Sequence, residues 1–358
     1  MRARLAVTAA ATGLGMLALS ACSGDAAGGS GGGGSEELTF LFPTGSVIQY
    51  HPWYIAEEMG WFEEEGVSVD LQVGDGSSGI TQQVLAGNAD AALPAPSAFM
   101  TAVDGGQDLH WVYQYQYSNI FSLATPESSG ITDAAGLRGG AVGVSDLSGG
   151  EVPLIRAVLR GAGLQEGADV QILEVGEGSA LAVQNLENGR VQAYSSNLFD
   201  VATIEASGTP MQNILPEDVQ SFPANGVVAT SESLEENGEA LTAMLRAVVR
   251  AVRWSQENPE EAKAMAAEVA PEEFEDPAIA DAAWEAATAL KTPPAAVEGD
   301  LLGTPNRAGW DLYYEFLQQG SEAEGAVSGD IDLDAVLDDS LLEAANDVDA
   351  TASTESAG

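Results

Sequence analysis

The chain has 358 residues, of which 12 are lysine or arginine and 55 are aspartate or glutamate, so its formal net charge is -43 at pH 7. Nucleic acids and anionic lipids are bound mainly by basic side chains that neutralise phosphates, so this charge argues strongly against both as partners. Apolar residues make up 45% of the chain, which has six tryptophans, and its length suffices for two lobes or domains.

The first residues predict an export signal. Arg2 and Arg4 precede an apolar run over residues 5–19, which is too short to span a bilayer comfortably and suits the core of a signal peptide. The run leads into the string L-S-A-C at residues 19–22, which resembles the bacterial lipobox, and its Cys22 is the only cysteine in the chain. We therefore expect a signal peptide over residues 1–21 and lipidation of Cys22.

A tether follows the signal. Residues 22–35 are mostly glycine and serine, a composition typical of a flexible coil. The mature protein should then be extracytoplasmic, lipid-anchored to the outer face of the cytoplasmic membrane. The membrane should be contacted through that anchor only.

Strands and helices alternate from residue 36 onwards. Segments rich in β-branched and aromatic residues predict strands at 36–42, 67–73, 91–93 and 110–117. Pro52 suits a first helical turn, and the apolar spacing that follows it predicts a helix up to Gly66, with a second helix at 80–85.

The same alternation resumes in the middle of the chain. It predicts strands at 141–144, 170–175 and 191–194 and helices at 152–160 and 179–188, so the fold class is α/β with two lobes and mostly parallel sheets. The remainder predicts helices at 234–258, 260–269, 277–290 and 307–319, one more stretch of docking structure at 331–345, and a disordered tail at 346–358.

Three motifs that could carry chemistry are weak. Gly74, Gly76 and Gly79 form a Gly-x-Gly-x-x-Gly pattern, but an exported chain has no nucleotide pool, so a helix N-terminus is the better interpretation. The aspartates that start at Asp330 lack the glycine and glutamate of a calcium loop. The only histidines are His51 and His110, too far apart in sequence for a metal motif, and no nucleophile motif occurs. We expect no enzyme, no cofactor and no metal.

Aromatic residues at two strand ends are candidates for a binding site. The run Y-H-P-W-Y at residues 50–54 follows the first predicted strand, and ligands of open α/β sheets bind beyond the carboxyl ends of strands. Trp111, Tyr113, Tyr115 and Tyr117 alternate along one predicted strand face, which is typical of a core, and only Tyr117 is kept as a ligand candidate.

Four segments in order resemble the SsuA/THI5-like (NMT1-type) solute-binding proteins of ABC importers. They are H-P-W-Y-I-A-E-E-M-G-W-F-E-E-E-G-V at 51–67, L-A-G-N-A-D-A-A at 85–92, L-R-G-G-A-V-G-V at 137–144 and the aspartate-rich 331–338. The family usually has Gly-x-Val-Asp-Ala where this chain has Gly189-Arg190-Val191-Gln192-Ala193, and the cysteine-rich motif of the fungal enzymes is absent from the sequence.

The resemblance implies a type II periplasmic-binding-protein fold, with two α/β lobes, a hinge and a ligand cleft between the lobes. Lobe 1 would comprise residues 36–122 and 225–345, the latter with C-terminal helices, and lobe 2 residues 123–224. It also implies a small-molecule solute, an ABC permease with its ATPase as partner, and a monomer. The residues expected to contact the solute lie in loops after the strands. They are Ser46, Gln49, Tyr50, His51, Trp53, Ser77, Ser78, Ser97, Tyr117, Ser148, Gly149, Gly150, Glu151 and Asn197.

These loops contain no lysine or arginine, which nitrate and sulfonate binders need unless helix N-termini alone hold the anion. Aromatic rings, amides and Glu151 suit a nitrogen-containing heteroaromatic or cationic solute, of the kind of a thiamine-precursor pyrimidine. Alkanesulfonate, taurine or nitrate binding is the first alternative. A ligand-sensing receptor domain or a surface-anchored enzyme is the second.

Overall fold

The computed structural model describes residues 36–176, 180–206, 208–294, 297, 301–318, 327 and 329–348. The predicted signal, Cys22 and the Gly/Ser tether lie outside the described residues, as does the tail beyond residue 348. The described helices are all too short or too polar to cross a bilayer.

In the described part of the chain, ten strands form two five-stranded sheets. The strands of the first sheet are β1 (Glu36–Phe42), β2 (Val67–Val73), β3 (Ala91–Ala92), β4 (His110–Gln114) and β10 (Gly226–Ala229). The strands of the second sheet are β5 (Phe121–Pro126), β6 (Ala141–Val144), β7 (Gln171–Glu174), β8 (Ala193–Asn197) and β9 (Met211–Asn213). Each sheet with its helices is one lobe, and the two sheets have the same order, β2-β1-β3-β10-β4 and β7-β6-β8-β5-β9.

The helices fall into three groups along the chain. Those of the first lobe's first segment are α1 (Val47–Glu58), α2 (Trp61–Glu64), α3 (Gly76–Leu85) and α4 (Pro96–Asp104). Those of the second lobe are α5 (Glu151–Gly161), α6 (Ala180–Glu187) and α7 (Leu198–Ala206). The C-terminal helices are α8 (Ser231–Glu257), α9 (Pro259–Val269), α10 (Pro277–Leu290), α11 (Arg307–Gln318), α12 (Leu333–Val336) and α13 (Leu342–Asn346).

Four strands of each sheet run in the same direction, as the prediction of mostly parallel sheets expected, and one strand runs against them. In the first sheet β10 pairs antiparallel with both β3 and β4, and in the second β5 pairs antiparallel with both β8 and β9. These are the strands by which the chain enters each lobe from the other. The other four strands of each sheet end at the edge that faces the neighbouring lobe. A strand that enters from the neighbouring lobe starts at that edge, so it points in the opposite direction.

The aromatic stripe of β4 does not keep to one face. Val228 pairs with Trp111 while the adjacent Val227 pairs with Tyr113, so Val112 is an extra residue that forms a bulge. A bulge shifts the alternation of side chains by one position. Trp111 therefore packs on one side of the sheet with Phe99 and Trp310, whereas Tyr113 packs in the core on the other side.

The first long helix begins earlier than the predicted start at Pro52. Helix α1 starts at Val47, and the backbone of Tyr50 departs from helical geometry two residues before the proline. Proline has no N–H, so the carbonyl of Ile48 loses its usual helical donor. The Nδ1 atom of His51 donates to that carbonyl at 2.8 Å, which repairs the missing bond.

Two apolar layers hold the first lobe together. Helices α1 and α8 cover one face of the first sheet, and α9 and α10 pack against α1. The other face packs against α3, α4 and α11, and this core continues into the second lobe through β6 and α5. The folded part reaches beyond residue 345, because Asn346 ends α13 and its side chain bonds the backbone of Leu302 at both polar atoms.

Candidate functional site

A cavity of about 300 Å³ lies between the lobes. It is bordered by the residues that follow β1, β2 and β6, by the end of β8 and by the first turns of α3 and α5. The lining residues are Pro43, Thr44, Gly45, Gln49, Tyr50, Val73, Gly74, Asp75, Gly76, Ser77, Ile120, Phe121, Ser145, Asp146, Gly149, Gly150, Glu151, Ser196, Asn197 and Asn225. The topology explains this position, because the carboxyl ends of the parallel strands of both sheets face the same gap.

The lobes touch directly at one side of the cavity. Ser97 Oγ donates to the carbonyl of Gly150 at 2.6 Å. Ser148 Oγ donates to the carbonyl of Asp75 at 3.2 Å, and the Ser78 N–H donates to the carbonyl of Ser148 at 3.3 Å. We call these three bonds the interlobe contact; they join the N-terminal turns of α3 and α4 to the loop before α5.

Gly150 is required for so close an approach. A Cβ atom at this position would lie 2.4 Å from the Cβ of Ala95 and 2.9 Å from Ser77 Oγ, both in the first lobe. Its φ of -67° is open to any residue, so the need for glycine is steric and not conformational.

The most deeply buried acid of the cavity is Glu151, the first residue of α5, which is 2% exposed. Its Oε1 accepts from the Ser145 N–H at 3.2 Å and makes a short hydrogen bond with Ser145 Oγ. Burial raises the pKa of Glu151 to about 7, although the hydrogen bonds to Ser145 oppose that shift. Near neutral pH this carboxyl can therefore serve either as a hydrogen-bond donor or as an acceptor.

Glu151 should make stability depend on pH. Its pKa in the folded chain lies above its ordinary value of 4.5, so folding favours the protonated form. The contribution is complete below pH 4.5 and is lost as the pH rises through about 7, a decrease of about 3 kcal/mol in the free energy of unfolding. Urea unfolding at pH 5 and pH 8 should show that Glu151→Gln lacks this decrease. The exposed Glu187→Gln is the control and should follow the wild-type curve; a Glu151→Gln curve parallel to wild type would contradict the assignment.

The charge of the described cavity wall has one sign. Asp75 follows β2 and Asp146 follows β6, so with Glu151 three carboxyl groups border the cavity, and no lysine or arginine is among the described lining residues. Such a wall favours a solute that donates hydrogen bonds or carries positive charge, and it disfavours an anion.

Each lobe contributes one aromatic ring to the wall. Tyr50 comes from α1 of the first lobe and is held by stacking on Phe42 with ring centroids 4.7 Å apart. Phe121 is the first residue of β5 in the second lobe. Rings on both sides suit a flat, partly apolar solute.

The predicted site residues divide by position. Seven line the cavity: Gln49, Tyr50, Ser77, Gly149, Gly150, Glu151 and Asn197. Three others, Ser78, Ser97 and Ser148, belong to the interlobe contact. Ser46 borders the neighbouring groove described below, and His51, Trp53 and Tyr117 lie in the protein core.

The three core residues have structural partners. The ring of Trp53 stacks on Phe40 at 4.0 Å, and Tyr117 Oη accepts from the Gly303 N–H at 2.8 Å. His51 stacks on Trp284 at 4.1 Å, and burial together with the charge of Lys291 keeps its pKa well below the ordinary range. His51 is therefore neutral at pH 7 and supports the turn at Pro52.

Several lining residues escaped the sequence analysis, among them Asp75, Asp146, Phe121 and Asn225. The two aspartates follow predicted strands, so the rule that ligands bind beyond carboxyl strand ends could have found them. Phe121 and Asn225 carry no such signal, because the strands beside them, β5 and β10, were not predicted.

An acidic groove of about 520 Å³ continues from the cavity and shares Thr44, Gly45 and Asn197 with it. Its wall includes Glu273, whose carboxylate accepts from the Val47 N–H at 2.7 Å and the Ile48 N–H at 2.9 Å and so caps α1. Among the described residues, no group of histidine, cysteine and carboxylate side chains has the arrangement of a metal site.

Residues 48–262 match the model of the family described as NMT1/THI5 like. A riboflavin-binding protein of Chloroflexus aurantiacus is 24% identical over 230 residues, which cover 63% of this chain and 64% of that protein. A formylaminopyrimidine-binding protein of Halalkalibacterium halodurans is 25% identical over 215 residues, which cover 58% and 63%. Each match thus spans less than two thirds of the relative's length.

The fold is shared with a solved protein. The periplasmic aliphatic sulphonate binding protein of Escherichia coli superposes with a TM-score of 0.59 at 17% identity, over 84% of this chain and 97% of that one. Together with the two mixed sheets, this likeness confirms the predicted periplasmic-binding-protein fold.

Proposed function

The chain belongs to the NMT1/THI5-like family, as its sequence segments predicted, and on that premise we propose that it is the solute-binding component of an ABC importer. Its solute is a small nitrogen-containing heteroaromatic or cationic molecule of the thiamine-precursor pyrimidine type. The cavity between the lobes captures the solute, and the closed protein delivers it to a membrane permease. No catalytic step is part of this function.

The charge of the cavity wall carries the proposal. Asp75, Asp146 and Glu151 offer hydrogen-bond acceptors, and the described lining residues include no basic side chain that would neutralise a sulfonate or nitrate. The N-terminus of α5, which could otherwise attract an anion, starts with the carboxyl group of Glu151 itself. A heterocyclic amine can donate N–H hydrogen bonds to these carboxyl groups, whereas their negative charge repels an anion.

Size and shape agree with a flat solute. A volume of about 300 Å³ is at the lower end of the range for small-molecule sites and suits one or two fused rings better than a long chain. Tyr50 and Phe121 border the cavity from opposite lobes and can contact the faces of such a ring. Two relatives are named for riboflavin and for formylaminopyrimidine, which are both nitrogen heterocycles, and their names support the same class of solute.

The cellular setting follows from the same proposal. A binding component works outside the cytoplasmic membrane, and lipidation of Cys22 would keep a monomeric protein close to its permease. The tether over residues 22–35 would let the folded lobes reach the permease while they remain anchored.

Calorimetric titration should distinguish heterocycles from anions. We expect 4-amino-2-methylpyrimidine to bind, and methanesulfonate and nitrate to give no measurable heat. A bound solute at 100 times its dissociation constant should stabilise the folded protein by about 2.7 kcal/mol, which a thermal denaturation scan would detect. Binding of methanesulfonate alone would reverse the ranking in favour of the sulfonate class.

Glu151→Gln tests the charge argument within this experiment. Removing the carboxylate should weaken the binding of a heterocyclic amine by about tenfold or more, since hydrogen bonds to charged groups contribute about 1.5–3 kcal/mol. Glu187→Gln removes an equal charge from an exposed position on α6 and should bind as wild type does. Equal affinities for the two variants would remove Glu151 from the site.

A further inference from the structure

Asn225 occupies a special place in the fold. It lies in the segment that returns the chain from β9 of the second lobe to β10 of the first, directly before β10 begins. It borders the cavity and is 1% exposed. A residue in a connection between lobes that also borders the solute cavity is placed to affect both the choice of solute and the movement of the lobes.

Bonds to the first lobe hold Asn225 in one orientation. Its Nδ2 donates to the carbonyl of Leu93 at 3.2 Å, and its backbone carbonyl accepts from the N–H groups of Tyr115 at 3.2 Å and Gln116 at 2.9 Å. A carbonyl accepts only from the nitrogen end of an amide, so the bond to Leu93 fixes which end of the side chain is Oδ1.

The Oδ1 atom is left without a partner. It is buried and receives no hydrogen bond from any group in the described part of the chain. A buried acceptor without a donor destabilises a fold, and native proteins retain few of them. Asn225 borders the cavity, so a molecule bound there could supply a donor from outside the chain.

We propose that Asn225 is a specificity-determining residue whose Oδ1 accepts a hydrogen bond from an exocyclic amino group or a ring N–H of the solute. The inference rests on the proposed function and names the feature of the solute that is selected. A heterocycle that presents a donor at the hinge side of the cavity satisfies Oδ1. An analogue with a methyl group in that place leaves the acceptor unsatisfied and is rejected, as happens in binding sites built around a polar group.

A pair of shape-matched probes tests this selection. The dissociation constants of 4-amino-2-methylpyrimidine and 2,4-dimethylpyrimidine are measured by titration calorimetry or by ligand-observed NMR, and their ratio is compared between variants. For the wild type we expect the amino compound to bind about 10- to 100-fold more tightly. Asn225→Leu should reduce the ratio at least about fivefold. A general loss of packing would weaken both probes and leave the ratio unchanged.

Gln116→Met is the matched control. Gln116 lies in the other connection between the lobes, is fully buried, has no hydrogen-bond partner at either side-chain polar atom among the described residues, and is not part of the cavity wall. Its substitution should keep the wild-type ratio. If Asn225→Leu fails to fold, Asn225→Asp retains an acceptor and should keep or raise the preference for the amino compound.

The outcomes distinguish a failure of the proposed function from a failure of the role assigned to Asn225. A wild-type protein that binds neither probe nor any other nitrogen heterocycle would refute the proposed function. A wild-type protein that prefers the amino compound, together with an Asn225→Leu variant that keeps the full ratio or an Asn225→Asp variant that loses it, would refute the role of Asn225 alone.

Discussion

Gly150→Ala should weaken solute binding by about 10- to 100-fold. The added Cβ would lie 2.4 Å from the Cβ of Ala95 and 2.9 Å from Ser77 Oγ, distances at which atoms must move apart. Ala95 and Ser77 belong to the other lobe, so opening the cleft relieves the clash. Solute binding must then overcome the cost of the strained closed form, and each 1.4 kcal/mol of that cost is a factor of ten in affinity.

Two measurements check this prediction. Titration calorimetry gives the loss of affinity, and small-angle X-ray scattering of the solute-saturated variant should show a larger radius of gyration than saturated wild type. Gly238→Ala is the control, because Gly238 lies within α8 with open space around a Cβ atom, and it should leave affinity unchanged. Wild-type affinity in Gly150→Ala would mean that closure around the solute does not use the interlobe contact.

Trp53→Ala should lower the free energy of unfolding by about 3–5 kcal/mol, the usual cost of deleting a buried aromatic side chain. Trp53 is 0% exposed, stacks on Phe40 and meets Phe42 edge to face at 5.6 Å. These contacts join α1 to β1 below the cavity, so the variant loses packing at the centre of the first lobe. Chemical denaturation would show the loss as a lower midpoint with an unchanged slope.

The milder Trp53→Phe separates packing from solute contact. It keeps an aromatic ring against Phe40 and should retain wild-type solute affinity despite some loss of stability. If Trp53→Phe were as stable as wild type but bound solute more than tenfold more weakly, Trp53 would have to contact the solute directly.

Under the proposed function, the interlobe contact indicates how a solute would close the lobes. Its bonds involve small side chains and backbone carbonyls, and Ser97 and Gly150 lie 53 residues apart in the sequence. A solute that bridges Tyr50 and Phe121 adds contacts that exist only when the lobes are close. Binding of such a solute therefore shifts the equilibrium towards the closed form. The size of the shift is set by the difference between its binding free energies for the closed and open forms.

Sequence alone determined the α/β class, most of the longer helices and the strands β1, β2 and β6, because the periodic spacing of apolar residues is a local property. It also placed Gln49, Tyr50 and Glu151 after the ends of predicted strands, and all three border the cavity. Only the tertiary structure decided that Trp53 and Tyr117 lie in the core while Asp75 and Asn225 border the cavity. The strands β5 and β10 are buried along most of their length, so their sequences lack a sustained alternation of apolar and polar residues. Their reversed direction, the bulge in β4 and the partners of Gly150 depend on which distant segments of the chain meet, and that is fixed by packing between lobes and not by the pattern of any one segment.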